Sequence, residues 1–263
     1  MAIIYLSSTM MWNKSLDEIF NTVYSSGLDG IELWAQHFYS MGYDEEIYLR
    51  LASLYPLKGC MHSYSWDLNL ASMNRGVRRA SVEEVKGSVD LAWRLGMDEV
   101  TVHPGHRTLI GADIPYTAML RESLKEILEY ARYRQVDISL EIMEKNGREF
   151  ATDMGRMQEV CGEMFPAFFY TLDVAHCDSR EEIFDCLARN RRISKIHVSN
   201  RRGKMLHTPL HDGDYDMKTI MREAARFGLP MVIEGYDPDP ECPIAKKNIA
   251  FTKSVFRTEE LWH

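Results

Sequence analysis

No run of 18 or more apolar residues occurs in the 263-residue sequence, so no segment reads as a membrane-spanning helix. The opening Met1-Ala2-Ile3-Ile4-Tyr5-Leu6 lacks the basic start, apolar middle and small-residue cleavage site of a signal peptide, and a cytoplasmic setting is expected. Positive charge is scarce: 31 lysines and arginines face 39 acids, leaving a formal net charge of -8. Such a surface repels nucleic acid and anionic membrane unless a local basic cluster overrides it. Five cysteines, odd in number, widely spaced and without a CxxC pair, exclude a disulfide framework and a thiolate zinc site. Low-complexity tracts, charged tails and long internal repeats are also missing.

What is present is an alternation. Short β-rich runs are expected at Ile3 to Leu6, Gly30 to Trp34, Leu57 to His62, Glu99 to His103, Ile138 to Ile142, Phe168 to Asp173, Ile193 to Val198 and Met231 to Glu234. Between them, apolar residues recur at three and four, predicting helices that include Leu16 to Ser25, Val82 to Leu95, Met119 to Arg134, Asp153 to Glu163, Glu181 to Asn190 and Met217 to Phe227. Gly27, Gly96 and Gly228 stand where left-handed helix ends would be. Eight βα units in a chain near the usual barrel length of about 250 residues predict an α/β fold: a single (β/α)8 TIM barrel spanning residues 1–263. The longest irregular pieces, Ser63 to Gly76, Gly105 to Pro115 and Asn200 to Asp214, all follow strands, where a barrel builds its catalytic face.

The expected strand ends carry chemistry. His62, His103, Glu141, Asp173, His197 and Glu234 lie in the runs CMHS, VTVHPG, SLEIM, YTLDVAH, KIHVSN and VIEGY. In a parallel barrel all strand ends converge on one rim, and neighbouring strands are about 4.8 Å apart, so Glu141, Asp173, His197 and Glu234 can reach one cation. Their oxygen and nitrogen donors suit manganese, magnesium, cobalt, iron or zinc without choosing among them. His176, three residues beyond Asp173, bends over the same mouth; Glu32, ending the second strand, is a further acid near it. Trp34, Phe38, Tyr39, Tyr64 and Trp66 offer flat rings for a wall at the mouth that could pack on apolar faces of a ligand, with core packing as the competing use. Arg201, Arg202 and Lys204, or Arg107, could hold a substrate phosphate or form a solvated surface run.

These residues resemble the xylose-isomerase-like TIM barrels, which include sugar and sugar-phosphate isomerases and epimerases and also endonuclease IV. The carriers are LEIM, LDVAH, KIHVSN, LHTPLHDGDYD and VIEGY. The resemblance implies that Glu141, Asp173, His197 and Glu234 ligate a divalent metal. The stretch from MHSYSW to VTVHPG is similar to the endonuclease IV segment with two zinc-binding histidines, matched by His62 and His103, while His176 and His207 match ligands of a third zinc. Met205 stands where an aspartate completes that third site.

Three readings follow. In an isomerase or epimerase, the ion would stabilise an enediolate while Glu141 and Glu234 act as base and conjugate acid, with His176 on a substrate hydroxyl. His62 and His103, if not ligands, would hold substrate hydroxyls. In an abasic-site phosphodiesterase, two or three zinc ions would activate water, but only the Asn200 to Lys204 loop with Arg75, Arg78 and Arg79 offers charge for DNA. A non-catalytic sugar-binding barrel leaves Glu141 and Glu234 without a task. A small carbohydrate is therefore the expected partner, nucleic acid and membrane are not, and a homo-oligomer could use Trp262 and the last helix.

Overall fold

In the computed structural model, which describes residues 2–111 and 113–256, eight parallel strands close into a barrel. Around the barrel run β1 (Ile3–Ser7), β2 (Gly30–Trp34), β3 (Lys58–His62), β4 (Glu99–Val102), β5 (Asp137–Ile142), β6 (Phe169–Asp173), β7 (Ile193–Val198) and finally β10 (Pro230–Ile233), which returns to β1. An antiparallel hairpin, β8 (Asn200–Arg202) with β9 (Met205–Thr208), rises from the loop after β7. Trp262 lies outside the described residues.

Strand alternation separates two environments. Outward residues such as Leu33, Met61, Val100, Leu140, Leu172, Ile196 and Ile233 are almost fully buried and pack under the helices. Each such burial contributes about 1.5–3 kcal/mol. The inward positions are instead polar over much of the barrel's height. Among them, Tyr5, Cys60 and Val232 form a small apolar cluster. Glu32, Thr101, Ser139, Thr171 and Lys195 are the polar ones, all at 2 % exposure or less. Polar side chains buried at this depth must find partners, and Ser139 and Thr171 bond each other at 2.7 Å.

The helices follow the sequence pattern, with differences at their starts. The capping box of Ser15 and Glu18 opens α1 (Leu16–Ser25). Two helices not singled out in the sequence, α2 (Ala35–Ser40) and α3 (Glu45–Leu54), precede β3, the latter capped by Asp44. Asn74 caps α4 (Arg75–Arg94), so this helix begins well before the expected Val82. Next come α5 (Tyr116–Arg134), α6 (Met154–Cys161), α7 (Arg180–Arg189), α8 (Met217–Ala224) and α9 (Pro243–Phe256). Gly27, Gly96 and Gly228 take φ of +69°, +73° and +68°, the left-handed geometry expected of them. All five cysteines are free and four are buried. No helix among the described residues is long and apolar enough to cross a membrane.

Candidate metal centre

Parallel register brings the carboxyl ends of the strands level, and the side chains there converge on Glu141. Its Oε2 lies 3.5 Å from His62 Nε2, 3.2 Å from His103 Nε2 and 3.5 Å from His197 Nδ1. Glu234 Oε2 is 3.1 Å from the same His197 nitrogen. Beyond it, His176 Nε2 and His207 Nδ1 each lie 3.8 Å from Asp173 Oδ2. Three overlapping groups result, with donor atoms within 4.8 Å of one another: Glu141, Asp173, His197 and Glu234; His62, His103 and Glu141; and Asp173, His176 and His207. Glu141 and Asp173 each belong to two.

The donor set fits a cation by what it leaves unpaired. His62 Nε2, His103 Nε2, Glu141 Oε2, Asp173 Oδ2, His197 Nδ1 and Glu234 Oε2 are all buried without a well-directed hydrogen bond. Isolated buried charges of this kind are costly, and an ion among them would satisfy them together. Three of the rings are also held from behind. His62 Nδ1 donates to the Ser63 carbonyl at 2.9 Å and His176 Nδ1 to the Ile142 carbonyl at 2.9 Å, so each leaves Nε2 for the cavity. His197 bonds Glu32 through Nε2 at 3.2 Å and turns Nδ1 inward. Trp34 stacks on His62 with ring centres 3.7 Å apart.

Charge in the cluster is strongly polarised. Burial raises Glu141's proton affinity, but His103 and His197 outweigh it and hold this carboxyl well below its ordinary range. Asp173 is likewise lowered, by His176 and His207 against burial. Glu234 goes the other way: burial, with Asp173 adding to it and His197 opposing, pushes it up to about 7. His62 is lowered by burial and stays in its neutral form. His103 and His197 are raised, because the surrounding carboxylates overcome burial. A cation must displace the protons on these raised groups. Binding of Mn²⁺ at pH 7 is therefore expected to release about one proton or more and to tighten as pH rises; calorimetry in buffers of different ionisation heat reads this, and zero release would contradict it.

Above the donors opens a cavity of about 450 Å³. Trp34 and Trp66 line it as expected from the sequence, joined by Met143, Leu206 and Tyr236. Phe38 is instead interior, and Tyr39 stacks on Tyr64 with centroids 5.8 Å apart, neither lining this cavity. Sequence reasoning missed Glu144, Glu149 and Tyr236. For Glu144 and Tyr236 the signal was position, since each follows Glu141 or Glu234 by two or three residues; Glu149 is brought in by its bridge to His106. Burial and Glu144 raise Glu149 to about 7. Gly235, between Glu234 and Tyr236, takes φ +151°, and a Cβ there would meet Met10 Sδ at 2.9 Å.

The expected phosphate-holding arginines are not brought to this cavity. Arg201 donates to the carbonyls of Cys177 at 2.6 Å and Gly203 at 3.0 Å, and Arg202 pairs with Asp212. Both lie on β8, and these partners hold their guanidinium groups away from the cavity. Arg107 donates to the Glu149 carbonyl at 2.8 Å. No lysine or arginine lines the cavity among the described residues. Met205, in the place of the anticipated aspartate, is 66 % exposed, so that carboxylate has no substitute at this position.

The profile of the xylose isomerase-like TIM barrels matches residues 20–255. The chain belongs to that family. An uncharacterized protein of Methanocaldococcus jannaschii is 24% identical over 229 residues, 85% of this chain and 84% of that one. Among solved structures, a D-tagatose 3-epimerase-like protein superposes with a TM-score of 0.80 at 20% identity, covering 97% of both chains. Endonuclease IV from Thermus thermophilus gives 0.73 at 16% identity, over 96% of this chain and 99% of that one. At these identities the likeness is one of fold alone.

Proposed function

We propose that the protein is a divalent-metal-dependent isomerase or epimerase of a small sugar or sugar phosphate, with Glu141, Asp173, His197 and Glu234 as metal ligands. An ion held there would supply Lewis acidity to a substrate carbonyl. The remaining work belongs to side chains. Glu141 and Glu234 contribute to one donor group, 3.5 and 3.1 Å from His197 Nδ1, and are placed to serve as base and conjugate acid at its rim. Their placement beneath a cavity walled by Trp34 and Trp66, with no lysine or arginine among its described lining residues, is the observation that carries the reading. One takes the proton from carbon and the other returns it. His176 reaches a substrate hydroxyl through Nε2, and His62 and His103 hold either further hydroxyls or a second ion. Trp34 and Trp66 exclude water and pack on the apolar faces of the sugar.

The experiment is exchange in deuterated water. With Mn²⁺ or Co²⁺, the protein is expected to replace the proton beside a ketose carbonyl by deuterium. Absence of exchange across free and phosphorylated ketoses contradicts the proposal.

A second reading, metal-dependent phosphoester hydrolysis, is favoured by one observation: the three donor groups could hold more than one ion. DNA as its substrate is opposed by the acidic chain and by the engagement of the basic residues elsewhere. Arg79 of the Arg75–Arg79 segment pairs with Glu83 and Glu126 on the outer helices. Cleavage of a duplex with an abasic site, in the presence of Zn²⁺, would support this reading over the first.

A further inference from the structure

We infer that Glu32 is a positioning residue: from the opposite side of the barrel it fixes the His197 ring so that Nδ1, and not Nε2, is presented to the cation. The inference deepens the metal reading of the site and rests on it.

Glu32 does not line the cavity, although its place at the end of β2 suggested that it could. In register it pairs with Cys60, while Trp34 pairs with His62, so Glu32 sits one inward layer below the rim. From there it crosses the barrel interior to β7, and both it and His197 are fully buried. One oxygen does the contacting. Glu32 Oε1 accepts from His197 Nε2 at 3.2 Å and from the Thr101 hydroxyl at 3.1 Å, with the Cys60 thiol 3.9 Å away. Lys195, also inward on β7 two residues before His197, supplies a buried positive charge on this layer.

The need for such a partner is specific to His197. His62 and His176 anchor their rear nitrogens on backbone carbonyls, which can only accept and so impose one tautomer. His197 bonds no backbone carbonyl through its side chain among the described residues, and a carboxylate stands in that place. An acceptor on Nε2 keeps the proton there and leaves the Nδ1 lone pair aimed between Glu141 and Glu234. Without it, a neutral ring would place its proton on Nδ1 and donate to Glu234, 3.1 Å away, occupying the ligand direction. The ring would also lose the contact that sets its rotation about χ2.

Two variants and one spectrum test this. Glu32→Leu removes the acceptor; Glu32→Gln retains a carbonyl oxygen, which the Thr101 hydroxyl holds in the same orientation. Affinity for Mn²⁺ and Co²⁺ is measured against a chelator. Glu32→Leu is expected to weaken binding about 10- to 100-fold, and Glu32→Gln to recover most of that loss. A residue serving only the fold would change melting temperature while leaving affinity, and the visible spectrum of the Co²⁺-loaded protein, unaltered. In the wild type loaded with Zn²⁺, ¹⁵N spectra are expected to show His197 protonated at Nε2 and metal-shifted at Nδ1. This decides the matter even should the leucine variant not fold. Unchanged affinity in a folded leucine variant, or the reverse nitrogen assignment, overturns the inference alone. Failure of the wild type to bind Mn²⁺, Co²⁺ or Zn²⁺ overturns the metal reading and this inference with it.

Discussion

Replacing Glu234 by glutamine is expected to lower the rate of deuterium exchange into a ketose by about 10²- to 10⁴-fold, the usual contribution of a positioned acid or base. Glutamine keeps an oxygen for the ion but cannot carry a proton. The choice of residue follows from geometry: Glu234 lines the cavity and belongs to one donor group only, whereas Glu141 is shared by two and lies against His62, His103 and His197. Removal of Glu141, which is shared by two donor groups, should act differently: Glu141→Gln is expected to weaken metal binding about 100-fold or more, beyond the effect of losing an outer partner. Measuring exchange and metal content together separates the two variants. Exchange at the wild-type rate in Glu234→Gln would remove this residue from the chemistry.

The second large effect is on stability. Lys195 is almost fully buried inside the barrel, where it pairs with Glu99. Lys195→Met leaves Glu99 and fully buried Glu32 without their nearby cation, and breaking a buried pair from one side costs about 3–5 kcal/mol. Burial alone would lower the lysine's proton affinity, but Glu99, Cys60 and Glu32 reverse this and raise it. Because the folded value lies above the unfolded one of about 10.4, the stabilisation is fully present below about pH 10.4 and is lost only as pH climbs through the raised value. Urea unfolding at pH 7 measures the loss. A change under about 1 kcal/mol would mean that water or a rearranged neighbour replaces the ammonium group. The double variant Lys195→Met with Glu99→Gln should recover part of the loss, since it leaves one fewer uncompensated charge.

Much of this site could be read before the fold was known, for a reason of geometry. A parallel barrel places every strand end on one rim, so a list of strand ends is already a list of neighbours. His62, Glu141, Asp173 and His197 fell inside strands as expected; His103 and Glu234 stand one residue beyond theirs, still at the rim. Depth was less legible. Glu32 and Trp34 share the inward face of β2, and only the register with β3 shows that Trp34 reaches the cavity while Glu32 lies beneath it. Loops were least legible. The segment Asn200 to Asp214 looked irregular and basic, yet β8 and β9 pair within it and engage Arg201 and Arg202 with backbone and acid partners. Those bonds depend on a hairpin that no periodicity announced. Glu144 and Glu149 were missed for a related reason: a charged loop residue reads as solvated until the chain is seen to fold back, as it does where Glu149 bridges to His106.

The proposed function requires that Glu141, Asp173, His197 and Glu234 surround a divalent cation at the mouth of the barrel. Anomalous diffraction from crystals equilibrated with Mn²⁺ tests it most directly. A peak is expected among these four side chains, bonded to His197 through Nδ1; no peak there at millimolar Mn²⁺, or a peak bound only by surface acids, would contradict the proposed function.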